Sequence, residues 1–256
     1  MNDCLSMAIT AAGGITAILS AMKTHPSNAN VQKNGCAALA YLADSNDNNK
    51  VTIAEEGGIT TILSAMKTHS SNANVQEYGC AALSSLAMTD NNKVKIAAAG
   101  GISVILSAMK THLTNAKVQQ YGCGALGNLA VNDNNQVSIA AARGISLILS
   151  AMESHSCNAN VQYCGFGALK NLAVNNCFSV AIVAAGGITT IQSAMKNHSL
   201  IAGFQDKGHD ALRNLDCNTD NKVTIAKTSG IVATILGIVA MMLLCKIIHC
   251  LYLQET

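Results

Sequence analysis

The sequence is poor in the residues that usually mark active sites and charged-ligand sites. It contains no Trp and one Pro, its aromatic content is 3%, and 12% of its 256 residues are charged. A formal net charge of +2 gives no field strong enough to capture nucleic acid. The half of the chain that is hydrophobic must build its core from Ile, Leu, Val, Ala and Met, which pack well between closely spaced helices. These absences favour an all-α protein and argue against a nucleic-acid partner.

The ten Cys would suit a secreted disulfide framework, but the first residues do not support secretion. MNDCLSMAITAAGG has no basic region before its apolar stretch, unlike a signal peptide. We therefore expect a cytoplasmic protein with reduced thiols, in which a buried Cys behaves as a small hydrophobic residue.

One unit recurs along the chain at intervals of 44, 43, 43 and 43 residues. GGITAILSAMKTH begins at 13 and returns as GGITTILSAMKTH at 57, GGISVILSAMKTH at 100, RGISLILSAMESH at 143 and GGITTIQSAMKNH at 186. NVQKNGCAALAYLA from Asn30 also recurs, starting at 74, 117, 160 and, in diverged form, 203. Self-similarity at this period indicates a solenoid in which each unit packs on its neighbours.

Each unit is predicted to contain three helices. Asp47 and its counterparts begin a short first helix, which ends at a Gly-Gly pair. In the second helix, apolar residues lie at i, i+3, i+4 and i+7 and so share one face. In the second unit they are Ile59, Ile62, Leu63 and Met66. The third helix carries small residues such as Gly79 and Ala82 in its apolar stripe, which lets neighbouring helices approach closely.

The period, the Gly break and a third helix ending in L-x-N-L-A resemble the armadillo repeat, whose period is about 40 to 47 residues. HEAT repeats, the nearest alternative, usually have two helices and lack the Gly-Gly pair. The resemblance implies a right-handed α-solenoid of about five three-helix repeats, with the third helices on its concave face. The predicted solenoid covers 1–230. Its repeats are 3–44, 45–88, 89–131, 132–174 and 175–217, with a partial sixth from 218.

Recurrence separates packing residues from catalytic ones, because a catalytic residue is needed once and a packing residue in every unit. Cys36, Cys80 and Cys123 share a position that Phe166 and His209 occupy in the later units, so we interpret it as core. A His ends each second helix, where it is expected to satisfy the last carbonyls. These are His25, His69, His112, His155 and His198. With no motif typical of hydrolases, nucleotide sites or metal sites, we predict no catalytic residue, metal, cofactor or small-molecule substrate, and hence no enzyme.

The third-helix face is the predicted binding surface. In armadillo proteins this helix carries a groove-facing Trp and, four residues later, an Asn that binds the backbone of an extended peptide. The matching Asn positions hold Tyr41, Ser85, Asn128, Asn171 and Asn214, and the Trp positions hold Ala37, Ala81, Gly124, Gly167 and Asp210. One turn earlier on the same side lie Lys33, Glu77, Gln120, Tyr163 and Asp206. The Asn positions and this last stripe predict a non-catalytic scaffold that binds a peptide or partner helix. The alternative is a solvated face with Asn near helix ends.

The C-terminal stretch breaks the pattern. Residues 231–253 are predicted to form an apolar helix, and 15 uncharged residues, about 22 Å of helix, run from Ile231 to Cys245. Three interpretations remain open: a helix that caps the solenoid, a tail anchor that would make the protein a membrane-tethered adaptor, or the end of a fragment.

Overall fold

The computed structural model describes residues 3–216, and every regular element in that range is an α-helix. The helices are α1 (Asp3–Ala11), α2 (Gly14–Thr24), α3 (Ala29–Ser45), α4 (Asp47–Glu55), α5 (Gly58–Thr68), α6 (Ala73–Leu86), α7 (Asp90–Ala98), α8 (Gly101–Thr111), α9 (Ala116–Leu129), α10 (Asp133–Ala141), α11 (Gly144–Ser154), α12 (Ala159–Leu172), α13 (Asn176–Ala184), α14 (Gly187–Asn197) and α15 (Phe204–Leu215). They stack as an α-solenoid, so the predicted all-α fold is confirmed. The expected partial sixth repeat and the apolar helix at 231–253 lie outside the described residues, and the repeat bounds stay a prediction.

The break between first and second helices depends on one residue in the left-handed region. Gly57 has φ 82° and precedes α5, and the equivalent position is a Gly in four of the five units. The exception is Arg143, with φ 63°. The next residue, Gly58, packs so closely that a Cβ there would lie 2.4 Å from Cγ2 of Ile53. The Gly-Gly pair therefore combines a conformational requirement with a steric one.

The core is one continuous cluster, to which all three helices of a unit contribute. Ile62 and Met66 of α5 are buried, and Met66 fills the space left by Gly79 of α6. Cys80 is fully buried, and Phe166 at the same position of α12 is 1% exposed. Because a bulky ring replaces the thiol without leaving the core, the position serves packing, as the sequence comparison indicated.

A Gln at the start of each third helix caps the second helix. In the second unit, Nε2 of Gln76 donates to the carbonyls of Met66 and His69, both at 2.9 Å. Gln32, Gln119 and Gln162 repeat the pair of bonds in their own units. These bonds satisfy carbonyls that a helix end leaves without intrahelical donors.

The His ring has a different role from the one expected. Nε2 of His69 lies 2.8 Å from the carbonyl of Pro26, in the turn of the preceding unit, instead of bonding the end of its own helix. His112, His155 and His198 make the same contact one unit further along. Since a carbonyl only accepts, Nε2 carries the proton. The physical reason for the difference is that the Gln amides already occupy the helix-end carbonyls, which leaves the ring to link neighbouring repeats.

Candidate functional site

The third helices α3, α6, α9, α12 and α15 pack on one another in sequence order. We call the exposed surface that they form the groove. Consecutive second helices meet over a shorter stretch than consecutive third helices do. The groove is therefore built on the most tightly packed layer of the solenoid.

A depression of about 290 Å³ lies in the groove, over the first three repeats and the edge of the fourth. We call it the tyrosine pocket, because Tyr41 of α3, Tyr78 of α6 and Tyr121 of α9 line it. Small side chains of α6 and a glycine of α9 form its floor: Ala81, Ser84, Ser85 and Gly124. A Cβ at Gly124 would lie 3.2 Å from Oγ of Ser84, so the floor is already tightly packed. Small residues between rings thus produce the concavity.

Burial alters the ionisation of groups beside the pocket. Partial burial raises the pKa of Glu77 above its ordinary value, and the positive charge of Lys117 opposes that shift. Burial is also the main cause that raises the pKa of the Tyr121 hydroxyl, followed by the negative charge of Glu77. The ammonium of Lys117 lies 5.9 Å from the centroid of the Tyr121 ring, within the range of a cation–π interaction. The pocket therefore has an apolar, partly desolvated wall next to charged groups.

The predicted site residues fall into two sets. Tyr41, Ser85 and Gln120 line the tyrosine pocket, and Glu77 acts on Tyr121 from beside it. The others lie elsewhere on the third helices. Half-buried Lys33 is on α3, exposed Tyr163 is on α12, and exposed Asp206 is on α15. Partner contact by any of these residues stays a prediction.

The three predicted asparagines link neighbouring repeats. Nδ2 of Asn128 donates to the carbonyl of Ser84 at 2.9 Å, and Nδ2 of Asn171 to that of Gly127 at 2.8 Å. Asn214 bonds the Lys170 carbonyl in the same way, at 2.9 Å. Each acceptor lies in the last turn of the preceding third helix. The amide donors that the sequence comparison assigned to a partner are thus also used within the solenoid.

The second repeat has Ser85 at this position and lacks the bond, and helix length explains why the helix before it does not need one. α3 continues to Ser45, so the Ala40 carbonyl lies inside the helix. α6 ends at Leu86, and the backbone amide of Met88 bonds Ser85 instead of Ser84. The Ser84 carbonyl therefore needs another donor, which Asn128 supplies.

Ion pairs occupy the groove at its last described repeat. Asp210 of α15, at the position of the family's Trp, lies 3.5 Å from Nζ of Lys170 and 3.3 Å from Arg213. The ammonium of Lys207 lies 5.5 Å from the centroid of the Tyr163 ring. This end of the groove is polar, in contrast to the tyrosine pocket.

Sequence reasoning missed Tyr78 and Tyr121. The predicted stripe at i, i+4 and i+8 drifts around the helix, because four residues rotate by about 400°, or about 40° more than a full turn. The pocket instead follows Tyr78, Ala81 and Ser85, at i, i+3 and i+7. Recurrence of Tyr at the same position in two successive units was the available signal.

Depressions of about 260, 400 and 610 Å³ also lie between consecutive second helices. None of the side chains that line them is aromatic. Ser and Lys line all three depressions, and Thr lines the two smaller ones. Since aromatic side chains are enriched where proteins bind one another, the tyrosine pocket is the better candidate.

Residues 3–216 contain neither a cluster of metal-ligating side chains nor a single membrane-spanning helix. No group of three or more His, Cys, Asp or Glu side chains there is arranged to hold a metal ion. No single helix in that range has the length and apolar composition to cross a membrane. Three pairs of consecutive helices, bent by 71–74°, have that length and composition only when the two helices of a pair are taken together.

The stacked three-helix units and the groove along the third helices define a repeat solenoid. The chain matches the family model described as LRRK2 ARM repeat over residues 12–179, and it belongs to this armadillo repeat family. The resemblance seen in the sequence is confirmed. No curated protein matches the chain.

Solved structures agree on the fold. An engineered protein from the Northeast Structural Genomics Consortium has 26% identity and a TM-score of 0.73, with 85% of each chain covered. A second engineered protein from the same consortium has 23% identity and a TM-score of 0.75, covering 85% of this chain and 87% of its own. A structure from work on a phosphorylation switch in the interaction between cadherin and beta-catenin has 20% identity and a TM-score of 0.68. It covers 78% of this chain, which spans 36% of that one. Solenoids of this kind typically act as scaffolds for protein binding.

Proposed function

We propose that this protein is a non-catalytic scaffold that binds a protein or peptide partner in the groove along its third helices. The tyrosine pocket is the observation that carries the proposal. Tyr combines a large apolar face with a polar hydroxyl and is enriched at binding surfaces, and here three such rings surround a floor of small residues.

The packing of the layers supports a concave groove. A stack of repeats curves towards the layer whose members lie closest together, and the third helices are the more tightly packed layer. Solenoids commonly bind partners on the concave side. A cytoplasmic site of action belongs to the same proposal.

A groove-filling variant tests this function. Ser85→Tyr places a ring on the pocket floor, at a position where the first repeat already carries Tyr41, so the fold should tolerate it. Ser107→Tyr is the matched control, because Ser107 is an exposed residue of α8 on the second-helix side. Proteins captured by the full wild-type chain are identified by mass spectrometry. At least one of them should no longer be captured by the Ser85→Tyr variant and should still be captured by the Ser107→Tyr variant. Equal capture by both variants would contradict the proposal.

The membrane-tethered adaptor rests on residues 231–253, which lie outside the described residues, and it stays an alternative. Flotation of the full chain with phosphatidylcholine vesicles, against a chain ending at Ser229, distinguishes the two. Flotation of the full chain alone would favour a tether, and absence of flotation in both would exclude it.

A further inference from the structure

The asparagines of the groove are already partly engaged within the solenoid. An extended peptide leaves an N–H and a C=O at each residue in need of a partner. In Asn128, Asn171 and Asn214, one of the two N–H bonds of Nδ2 already donates to a carbonyl of the preceding repeat, at 2.8–2.9 Å. The earlier repeats have Tyr41 and Ser85 at this position. A helix bonds its own backbone groups and needs no such ladder of amides, so the groove suits a helix better than an extended chain.

The dimensions of the tyrosine pocket agree with a helix that presents single anchors. Its lining reaches from α3 to Cys164 of α12, which spans three helix spacings of about 8–10 Å, or about 24–30 Å. A helix of about 16–20 residues covers that distance at about 1.5 Å per residue. The volume of about 290 Å³ is close to the lower limit of about 300 Å³ for small-molecule sites, which suits one or two side chains.

The pocket also indicates the charge of its occupant. Asp44 lines it, is exposed, and forms no ion pair with another residue in the described part of the chain. Met88, 58% exposed, also lines the pocket. The cation beside the pocket, Lys117, contacts Tyr121 of α9. The pocket thus combines the carboxylate of Asp44 with an exposed apolar side chain. These groups are complementary to a partner segment that has a basic residue close to its apolar anchor.

We propose that the element bound in the groove is an amphipathic helix of the partner, with a bulky apolar side chain in the tyrosine pocket and a basic side chain beside Asp44. This inference rests on the proposed function and specifies the partner's chemistry. Anchors on such a helix recur at i, i+3 or i+4, and i+7.

The test selects unconstrained 20-residue peptides displayed on phage against the immobilised full chain, with counter-selection against the Ser85→Tyr variant. Affinities of the selected peptides are then measured by fluorescence anisotropy. We expect Ser85→Tyr to weaken binding by about tenfold or more, as loss of an anchor site does. Tyr41→Ala is a second variant that should weaken binding without disturbing the core, because Tyr41 lines the pocket and is 56% exposed. The matched control is Val137→Ala, an equally exposed apolar residue of α10, a first helix outside the groove.

Proline substitution in the peptide reports its conformation. At a central position that is not an anchor, Pro should lower the affinity by about 100-fold, which corresponds to about 3 kcal/mol, whereas Ala should leave it unchanged. Asp44→Asn should lower the affinity several-fold and reduce its salt dependence. Peptides that require the pocket but tolerate Pro at every such position would overturn the helix inference and leave the proposed function in place. Failure to obtain any peptide that distinguishes the wild type from both Ser85→Tyr and Tyr41→Ala would overturn both.

Discussion

Truncation of Asn171 to Ala tests whether the third-helix asparagines hold the repeats together. The side chain is half-buried, and its Nδ2 lies 2.8 Å from the Gly127 carbonyl in the last turn of α9. The backbone amide of Val131, four residues beyond Gly127, bonds Asn128 instead, so Asn171 supplies the donor that α9 lacks at this carbonyl. Removing it is expected to cost the net value of a hydrogen bond and part of the penalty for an unsatisfied acceptor.

A net hydrogen bond contributes about 0.5–1.5 kcal/mol and an unsatisfied buried group costs about 1–3 kcal/mol. Because Asn171 is only half-buried, water can partly replace it, and we expect a loss of about 1–2 kcal/mol in the free energy of unfolding. Urea titration followed by circular dichroism measures the loss. Ser85→Ala is the control, since Ser85 occupies the same position in the second repeat without a bond to the preceding helix; it should change stability by less than about 0.5 kcal/mol. An Asn171→Ala loss no larger than that of Ser85→Ala would refute the structural role.

Three further predictions concern the frame of the repeat. Arg143→Gly should raise the free energy of unfolding by about 0.5–1 kcal/mol, because Arg143 has φ 63° and a left-handed residue with a Cβ is strained. Gly100→Arg should lower the free energy of unfolding by a similar amount, although a Cβ there meets nothing within 4 Å, and urea titration measures both changes. Gly122→Ala should cost about 1–3 kcal/mol by overpacking, since its Cβ would lie 2.4 Å from a buried Met side chain, and an unchanged thermal midpoint would contradict this. Burial raises the pKa of Cys80 to about 12, so at pH 8 it holds far less thiolate than an exposed Cys. Iodoacetamide labelling with peptide mapping should therefore modify exposed Cys157 and spare Cys80 in the folded protein.

The sequence was sufficient for the fold because the fold is periodic. Five copies of one unit show which positions tolerate change, and Phe166 at the position of Cys80 is sufficient to identify a packing site. The Gly-Gly pair was likewise interpretable, since only a helix break with tight packing requires both residues.

The candidate site was less predictable because it depends on contacts between units. The pattern places Asn171 on the groove face, but it does not reveal that the Gly127 carbonyl lies within reach of its amide. The same is true of His69, whose partner Pro26 belongs to the preceding turn. The sequence pattern places these side chains along the helices, while their partners depend on how far one repeat is displaced from the next.

Within residues 3–216, the hydrogen bonds from a side chain of one repeat to the backbone of a neighbouring repeat all run in one direction. His69 bonds the carbonyl of Pro26, Asn128 bonds that of Ser84, and in each case the later unit supplies the side chain and the earlier unit supplies the acceptor. Asn92 of α7 makes the corresponding bond to the Lys50 carbonyl. Each unit thus carries both halves of the junction, one on each side. A tandem duplication of 43 residues would bring a complete set of matching contacts with it, so a gene of this kind can change the number of its repeats in a single event without compensating mutations.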